Sequence, residues 1–192
     1  MANYDTQGGF RVAVGVGGAA PIQYRFPVDS ASATNMFVGD VVKSVAAGAV
    51  NPSAAGDATI VAGVVASLYD SNGVPIGSPG ASVSTRYLPS STAGYADVWL
   101  ALPGVIFIGQ AQTGQTPAAT GIFASTDHVA GTGNTTTGRS KHELNMSDLN
   151  SGGQFFVLGR VADPTNAYGE HVLLYVVFNE SIFAGTGKAV GV

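Results

Sequence analysis

The chain of 192 residues contains no cysteine. Without thiols there can be no disulfide framework, no Cys-ligated zinc, no iron–sulfur cluster and no thiol nucleophile. This composition is compatible with assembly in a reducing cytoplasm. A chain of this length can bury a real core without such staples, so we expect one domain of ordinary size, with or without an appendage.

Charged residues are also scarce. They make up 10% of the chain, against roughly 25% in ordinary soluble proteins. A free monomer with so few surface charges is poorly protected against association, so we expect partners to cover much of the surface. The 27 glycines and many Ser and Thr residues leave one alternative open, a secreted or surface β protein.

Basic clusters and long apolar runs are both missing. The eight Lys and Arg residues are scattered singly and the formal net charge is −4, so no segment can neutralise successive phosphates. The apolar stretches Val98–Ile108 and Val172–Phe178 fall short of the roughly 18 residues that span a bilayer. The start, MANYDTQGGF, has no signal-peptide pattern. We expect a soluble protein made in a cytoplasm, with no nucleic-acid partner and no membrane partner.

The apolar residues follow β-strand patterns. Val, Ile and aromatic residues are concentrated in short segments separated by turn-forming residues. Gly63 lies inside one such segment and indicates a bulge or a close backbone approach. The sequence predicts an all-β fold, a β-sandwich or a barrel-like domain. The predicted strand segments are 37–43 (a turn and a strand), 59–68, 74–76, 95–102, 105–110, 154–161 and 171–179.

The connections carry turn chemistry. Residues 69–73 end in Asn-Gly, which tolerates the positive φ angles of tight turns, and Asp163–Asn166 form a second turn. Pro103-Gly104 separates 95–102 from 105–110, and these two strands are predicted to form a hairpin. The remaining expectations are loops with short strands over 112–138, a helical turn within 140–150, and a small-residue tail over 185–192.

Residues 1–36 have a different pattern. Paired glycines together with Pro21 and Pro27 exclude a continuous helix. We expect an extended N-terminal arm that lies across a neighbouring chain or across its own domain, followed by a β-rich domain over 37–192. A first β-hairpin of the core is the alternative for this segment. The interface residues predicted in the arm are Tyr4, Phe10, Arg11, Tyr24 and Phe26.

Three motifs match part of a known cofactor-binding or metal-binding pattern, and each lacks a required element. Gly15–Ala20 fits G-x-G-x-x-A, but the prolines that follow leave no helix to meet a phosphate. His142-Glu143 opens an H-E-x-x-H pattern, but Met146 stands at the second histidine position. Asp70–Gly73 lacks the further oxygen ligands of a calcium loop. We predict no cofactor and no metal.

Catalytic side chains are not grouped in the sequence either. Asp97 lies near Tyr95 and Trp99 without a second carboxylate, and no serine stands on a G-x-S-x-G elbow. His128 and His171 have no carboxylate or histidine at ligand spacing, and His171 at a strand start is expected to be packed or hydrogen-bonded. We predict that the chain has no catalytic residues and is not an enzyme.

Several strand-and-turn pieces occur in a characteristic order. An apolar strand with a Pro-Gly break ends at Gln110, a T-G-x-S element follows at 137–140, and Leu144 comes next. Then come the strand QFFVLGRV, the turn Asp163–Asn166 and the strand LLYVVFN ending at Asn179. Upstream pieces match as well: Gly39–Val42, Val61–Val65 and Tyr69–Gly73.

This order resembles a widespread group of tailed-bacteriophage head proteins, described as decoration, cement or minor capsid structural proteins. The resemblance covers most of residues 37–183 and rests on order and spacing, because each piece is generic. It implies a capsid-binding domain attached to the outer surface of the major capsid protein lattice, often as a homotrimer or homodimer. The net negative charge also favours the outer surface over the face that touches packaged DNA.

The sequence therefore predicts a non-enzymatic virion protein that stabilises a phage head, located on the outer capsid surface and synthesised in the host bacterial cytoplasm. The alternative is a phage tail or surface β module that binds a glycan or a host receptor. That function needs exposed aromatic residues such as Trp99 lining a groove with polar side chains. A core position is the simpler role for Trp99, which stands between Val98 and Leu100.

Overall fold

The computed structural model describes residues 3–6, 8–56, 61–150 and 152–183. This part of the chain is all-β, as predicted, and its only helical elements are three short 3-10 turns. No helix within these ranges has the length and apolar character needed to cross a membrane. The eleven strands are β1 (Arg11–Val14), β2 (Gln23–Val28), β3 (Val41–Ser44), β4 (Val50–Pro52), β5 (Val61–Asp70), β6 (Gly94–Leu100), β7 (Ile106–Gln110), β8 (Ser125–Asn134), β9 (Arg139–Asn150), β10 (Phe155–Arg160) and β11 (Leu173–Phe178).

Five strands close into a barrel in the order β2-β4-β3-β5-β6, and the other six form a sheet in the order β1-β7-β11-β10-β8-β9. The barrel pairs are antiparallel except β2 with β4, which meet in parallel at Val28 and Val50. The pairs of the six-stranded sheet are all antiparallel. The prediction of a barrel-like domain is therefore confirmed.

Two hydrophobic cores explain why the barrel strands have apolar residues at consecutive positions. Val41 and Val64 lie in a core shared with Phe107 and Phe155 of the six-stranded sheet. Their neighbours in the chain, Val42 and Val65, lie in a second core inside the barrel. Successive side chains of a strand point to opposite faces, so a strand between two cores is apolar at nearly every position.

Gly63 has the role that the sequence indicated. It lies in β5 opposite Val42, where the register of β3 against β5 shifts. A Cβ atom at this position would clash with the carbonyl oxygen of Trp99 and lie 2.8 Å from the side chain of Val98. Only glycine permits this close approach of β5 and β6.

The predicted strands 154–161 and 171–179 are confirmed as β10 and β11, and Asp163 and Asn166 form the turn between them. The turn at 69–73 is also confirmed, because the Asp70 carboxylate accepts hydrogen bonds from the backbone of Asn72 and Val74. Residues 59–60 and the predicted tail at 185–192 lie outside the described residues.

Three predictions about the middle of the chain are wrong. Strands β6 and β7 do not form a hairpin, because Pro103-Gly104 carries the chain from the barrel to the six-stranded sheet. Residues 112–138 contain the ten-residue strand β8, and residues 140–150 belong to the strand β9 rather than to a helical turn. The buried residues of β9 are Ser140, His142, Glu143, Leu144 and Met146, and three of these five are polar, so the sequence of β9 shows no apolar alternation.

The extended N-terminal arm is not confirmed. β1 pairs with β7 in the six-stranded sheet, and β2 pairs with β6 along six residues and thereby closes the barrel. The alternative of a first hairpin is also wrong, because β1 and β2 belong to different sheets. The physical reason is that backbone pairing satisfies the hydrogen-bonding groups that an isolated arm would expose.

Candidate functional site

The five predicted interface residues differ in their exposure to solvent. Tyr4 and Tyr24 are 84% and 62% exposed, Arg11 is exposed and Phe26 is half-buried. Phe10 is 2% exposed, and its ring stacks on that of Phe155 with 4.7 Å between the centroids. Phe10 is therefore a core residue, and its prediction as an interface residue is wrong.

An exposed apolar surface follows the connection from β1 to β2. We call Val14, Val16, Ile22 and Tyr24 the apolar strip; each is between 41% and 62% exposed. No charged residue occurs between Arg11 and Arg25. Gly17 and Gly18 turn the connection with φ angles of 61° and 81°, and the Tyr24 ring packs 5.2 Å from that of Phe26. Contiguous exposed apolar surface of this kind marks interaction sites.

A further exposed aromatic residue, Phe123, has a strained backbone conformation. Phe123 is 72% exposed and has a φ angle of 66°, which is a genuine outlier for a bulky residue. Its backbone N–H donates to the carbonyl of Val157, and its ring lies 6.3 Å from that of Phe156. The fold thus holds Phe123 toward solvent at an energetic cost.

A groove of about 440 Å³ lies between the barrel and the six-stranded sheet. Trp99 lines it from the barrel, and Arg11 and Arg139 line it from the sheet. No carboxylate is among its described lining residues, and neither arginine has an ion pair within the described ranges. The groove is therefore lined by two arginines without ion pairs and by a tryptophan, residue types that suit an acidic ligand.

Asp97, which the sequence offered as the best candidate for acid–base catalysis, is instead held in a hydrogen-bond network. Its carboxylate accepts hydrogen bonds from Arg25 at 2.8 Å and from the Tyr69 hydroxyl at 2.8 Å. The hydrogen bond from Arg25 is the main cause that lowers the pKa of Asp97 below its ordinary value. A carboxylate held ionised in this way ties β2 to β6 and β5 and is a poor general acid.

Two stacked histidines lie beside a buried carboxylate, at the edge of a pocket of about 350 Å³. The Nδ1 atom of His142 accepts the backbone N–H of Val41 at 3.1 Å, and its Nε2 lies 3.5 Å from Asp40. The Nε2 atom of His128 donates to the carbonyl of Ser53 at 3.0 Å. Burial lowers the pKa of His128 to about 4 and that of His142 to about 3, and it raises the pKa of Asp40 to about 7.

This group is not arranged as a nucleophile and base. When His142 is neutral and its Nε2–H faces Asp40, Nδ1 is the nitrogen that has a free lone pair. That lone pair accepts the backbone N–H of Val41 and so is not available as a base. The hydroxyl of Ser140 accepts the backbone N–H of His142 rather than facing the ring nitrogens. Among the described residues this buried group supports packing and hydrogen bonding rather than proton transfer to a nucleophile.

The sequence missed a polar cluster that the topology assembles from distant segments. Asp5, Glu143 and His171 each offer one ligand atom, and these three atoms lie within 4.8 Å of one another. Gln110, at the end of β7, donates from Nε2 to Asp5 at 3.2 Å and contacts Nδ1 of His171 at 3.1 Å. His171 is hydrogen-bonded, as expected, and its Nε2 lies 3.6 Å from the carboxylate of the adjacent Glu170. The other two members of the cluster, Asp5 and Glu143, are 28 or more positions away from His171 in the sequence, so local spacing could not reveal them.

No protein-family model matches the chain, and comparisons with characterised proteins and with solved structures give no significant match. The resemblance to phage head proteins gains no support from these comparisons.

Proposed function

We propose that the chain is a structural virion protein, a decoration or cement protein that binds the outer surface of the major capsid protein lattice and stabilises a tailed-phage head. The observation that carries this proposal is the apolar strip, four exposed apolar side chains on a 13-residue stretch (12–24) without charge. The order of strands and turns noted in the sequence supports the same function.

The strip has the chemistry of an interface core. Stable interfaces bury about 800 Å² on each partner, and their centres are depleted in charge and enriched in aromatic residues. Tyr24 is the aromatic residue of the strip, and tyrosine is among the residues that contribute most to binding energy. A homotrimer or homodimer would present several copies of the strip to the lattice, and linked contacts bind more tightly together than each does alone.

The proposal assigns no catalytic activity and no cofactor to the chain. It is supported by the engagement of Asp97 with Arg25 and by the backbone contact that occupies Nδ1 of His142. The partners that it names are the major capsid protein and further copies of this chain, as a homotrimer or homodimer. The net charge of −4 favours the outer face of the shell over contact with DNA.

Co-sedimentation with empty heads tests the proposal. The heads are assembled from the major capsid protein encoded in the same genome. We expect the wild-type chain to bind, and the double variant Ile22→Ser/Tyr24→Ser to bind at least about tenfold more weakly, a loss of about 1.4 kcal/mol. Tyr168→Ser is the matched control, since Tyr168 is 38% exposed outside the strip. Absence of wild-type binding, or equal losses in strip variant and control, would contradict the proposal.

One observation favours a second function, a tail or surface β module that binds a glycan or a host receptor. The groove places Trp99 beside Arg11 and Arg139, and aromatic faces with polar neighbours suit sugar rings. Trp99 also packs against the core, so the variant to use is Arg11→Gln/Arg139→Gln. Binding of acidic glycans by the wild type, with loss in this variant, would favour the second function.

A further inference from the structure

Three side chains with metal-binding chemistry meet near the end of β7, where Ala111 forms a bridge to Leu144 of β9. Asp5 lies in the segment that precedes β1, Glu143 lies in β9, and His171 lies just before β11. The topology brings one ligand atom from each to within 4.8 Å of the other two. None of the elements used for the proposed capsid contact supplies these residues.

The side chain of Gln110 connects two members of the cluster. Its Nε2 group contacts both Asp5 and Nδ1 of His171, while its Oε1 accepts the backbone N–H and the hydroxyl of Thr6 at 3.0 and 2.6 Å. The imidazole coordinates a metal ion through one nitrogen lone pair, so an ion bound at Nδ1 would take the place of the Gln110 contact, and Gln110 would keep its hydrogen bond to Asp5.

Glu143 is the side chain that the cluster leaves unsatisfied. It is 9% exposed, and no residue in the described ranges donates a hydrogen bond to its carboxylate or forms a salt bridge with it. Burial, and then the negative charge of Asp5, raise the pKa of Glu143 above its ordinary value. Lys141 and His171 offset this increase only in part. A buried carboxylate without a hydrogen-bond partner is costly, and a cation placed between Glu143 and Asp5 would offset both the burial and the repulsion.

The backbone of His171 also indicates a constrained site. Its φ angle is 60°, in the left-handed region that a residue with a Cβ atom rarely adopts. Such strain persists where the surroundings hold a side chain in a required position. Here the contacts with Gln110 and with the backbone turn before β11 fix the ring beside Glu143.

We propose that Asp5, Glu143 and His171 bind one divalent transition-metal ion, for which Zn²⁺ is the best fit. A nitrogen ligand with two carboxylates suits Zn²⁺, whereas Ca²⁺ and Mg²⁺ take six or more oxygen ligands. In a tetrahedral site the ligand atoms stand about 3.4 Å apart. Asp5 is exposed, so its side chain can rotate to close the remaining distance, and a water molecule completes the shell. The ion fastens residues 3–6 to the sheet.

Zn²⁺ binding to the full-length chain tests the proposal. Equilibrium dialysis with metal analysis is expected to give one Zn²⁺ per chain. At a Zn²⁺ concentration 100-fold above the measured Kd, the melting temperature should rise by about 5–10 °C. Mg²⁺ and Ca²⁺ at the same concentration should leave it unchanged within about 1 °C.

The variants separate a built site from adventitious binding. Glu143→Gln and His171→Asn should each lose the stoichiometric Zn²⁺ and the rise in melting temperature; asparagine tolerates the left-handed backbone at position 171. Asp148→Asn removes an exposed carboxylate from the same strand and should keep both. Circular dichroism without metal verifies that each variant is folded. Retention of the site in Glu143→Gln, or loss in His171→Asn alone, would mean surface-histidine binding and overturn the proposal, as would no binding by the wild type.

Discussion

The buried pair His128 and His142 predicts that the protein loses stability in mild acid. Their side chains are almost fully buried, and burial lowers the pKa of His128 to about 4 and that of His142 to about 3. In the unfolded chain both titrate near 6.5. Between these values the unfolded state binds protons that the folded state does not, so stability is present above about pH 6.5 and is lost as the pH falls.

Asp40 acts in the opposite direction. Burial raises its pKa to about 7, whereas an unfolded aspartate titrates near 3.9. Between these pKa values the folded state holds a proton that the unfolded state releases. Asp40 therefore increases the folding stability as the pH falls from about 7 to about 4.

The magnitudes can be worked out for a change from pH 7 to pH 4. With these pKa values, each histidine costs about 3 kcal/mol of folding stability over that range. Asp40 increases the folding stability by about 3 kcal/mol over the same range. The net expected loss is therefore about 3 kcal/mol, a large part of the 5–15 kcal/mol typical of folded domains.

Two variants isolate the opposing groups. In His142→Asn, the amide oxygen can accept the Val41 N–H as Nδ1 does at 3.1 Å. The folding stability of this variant should change by about 0 kcal/mol between pH 7 and pH 4, because the cost from His128 and the gain from Asp40 cancel. Asp40→Asn removes the compensating group, so its loss should increase to about 6 kcal/mol.

The assay is urea unfolding at pH 7 and pH 4, followed by the fluorescence of Trp99, the single tryptophan, and by circular dichroism. Agreement of the two probes shows that the transition is two-state. Equal losses of stability in acid for the three proteins, or a smaller loss in Asp40→Asn than in the wild type, would contradict these assignments of His128, His142 and Asp40.

Two further predictions concern packing and backbone strain. Gly63→Ala should cost at least about 3 kcal/mol, because its methyl group meets the Trp99 carbonyl, whereas Gly73→Ala faces open space at a φ of 78° and should cost about 1 kcal/mol. Phe107→Ala should cost about 3–5 kcal/mol because its side chain is fully buried, whereas Phe123→Gly relieves a left-handed φ and should change stability by no more than about 1 kcal/mol. Urea unfolding of the four variants measures both contrasts; equal losses within either pair would contradict the corresponding argument.

The sequence predicts the fold best where local patterns and burial agree. β5, β10 and β11 are rich in Val, Ile, Leu and aromatic residues and end at recognisable turns, so they could be predicted. β9 could not, because its inward face includes Ser140 and His142, whose hydrogen bonds exist only in the folded protein. Pro103-Gly104 looks like a hairpin turn, and nothing local reveals that the chain changes sheets there.

The candidate sites depend more strongly on topology. The apolar strip could be partly predicted, since Tyr24 stands in a charge-free stretch of the sequence. The burial of Phe10 could not, because its stacking partner Phe155 lies in the other half of the chain. The same holds for the cluster around Gln110, whose members are joined by contacts over 61 and 105 positions of sequence.

Cryo-electron microscopy of heads assembled with and without this chain tests whether it binds the outside of the shell. We expect additional density on the outer surface of the major capsid protein lattice, repeated at one class of symmetry position, with the apolar strip buried against the shell. Heads without added density, or density in which the apolar strip faces solvent, would contradict it.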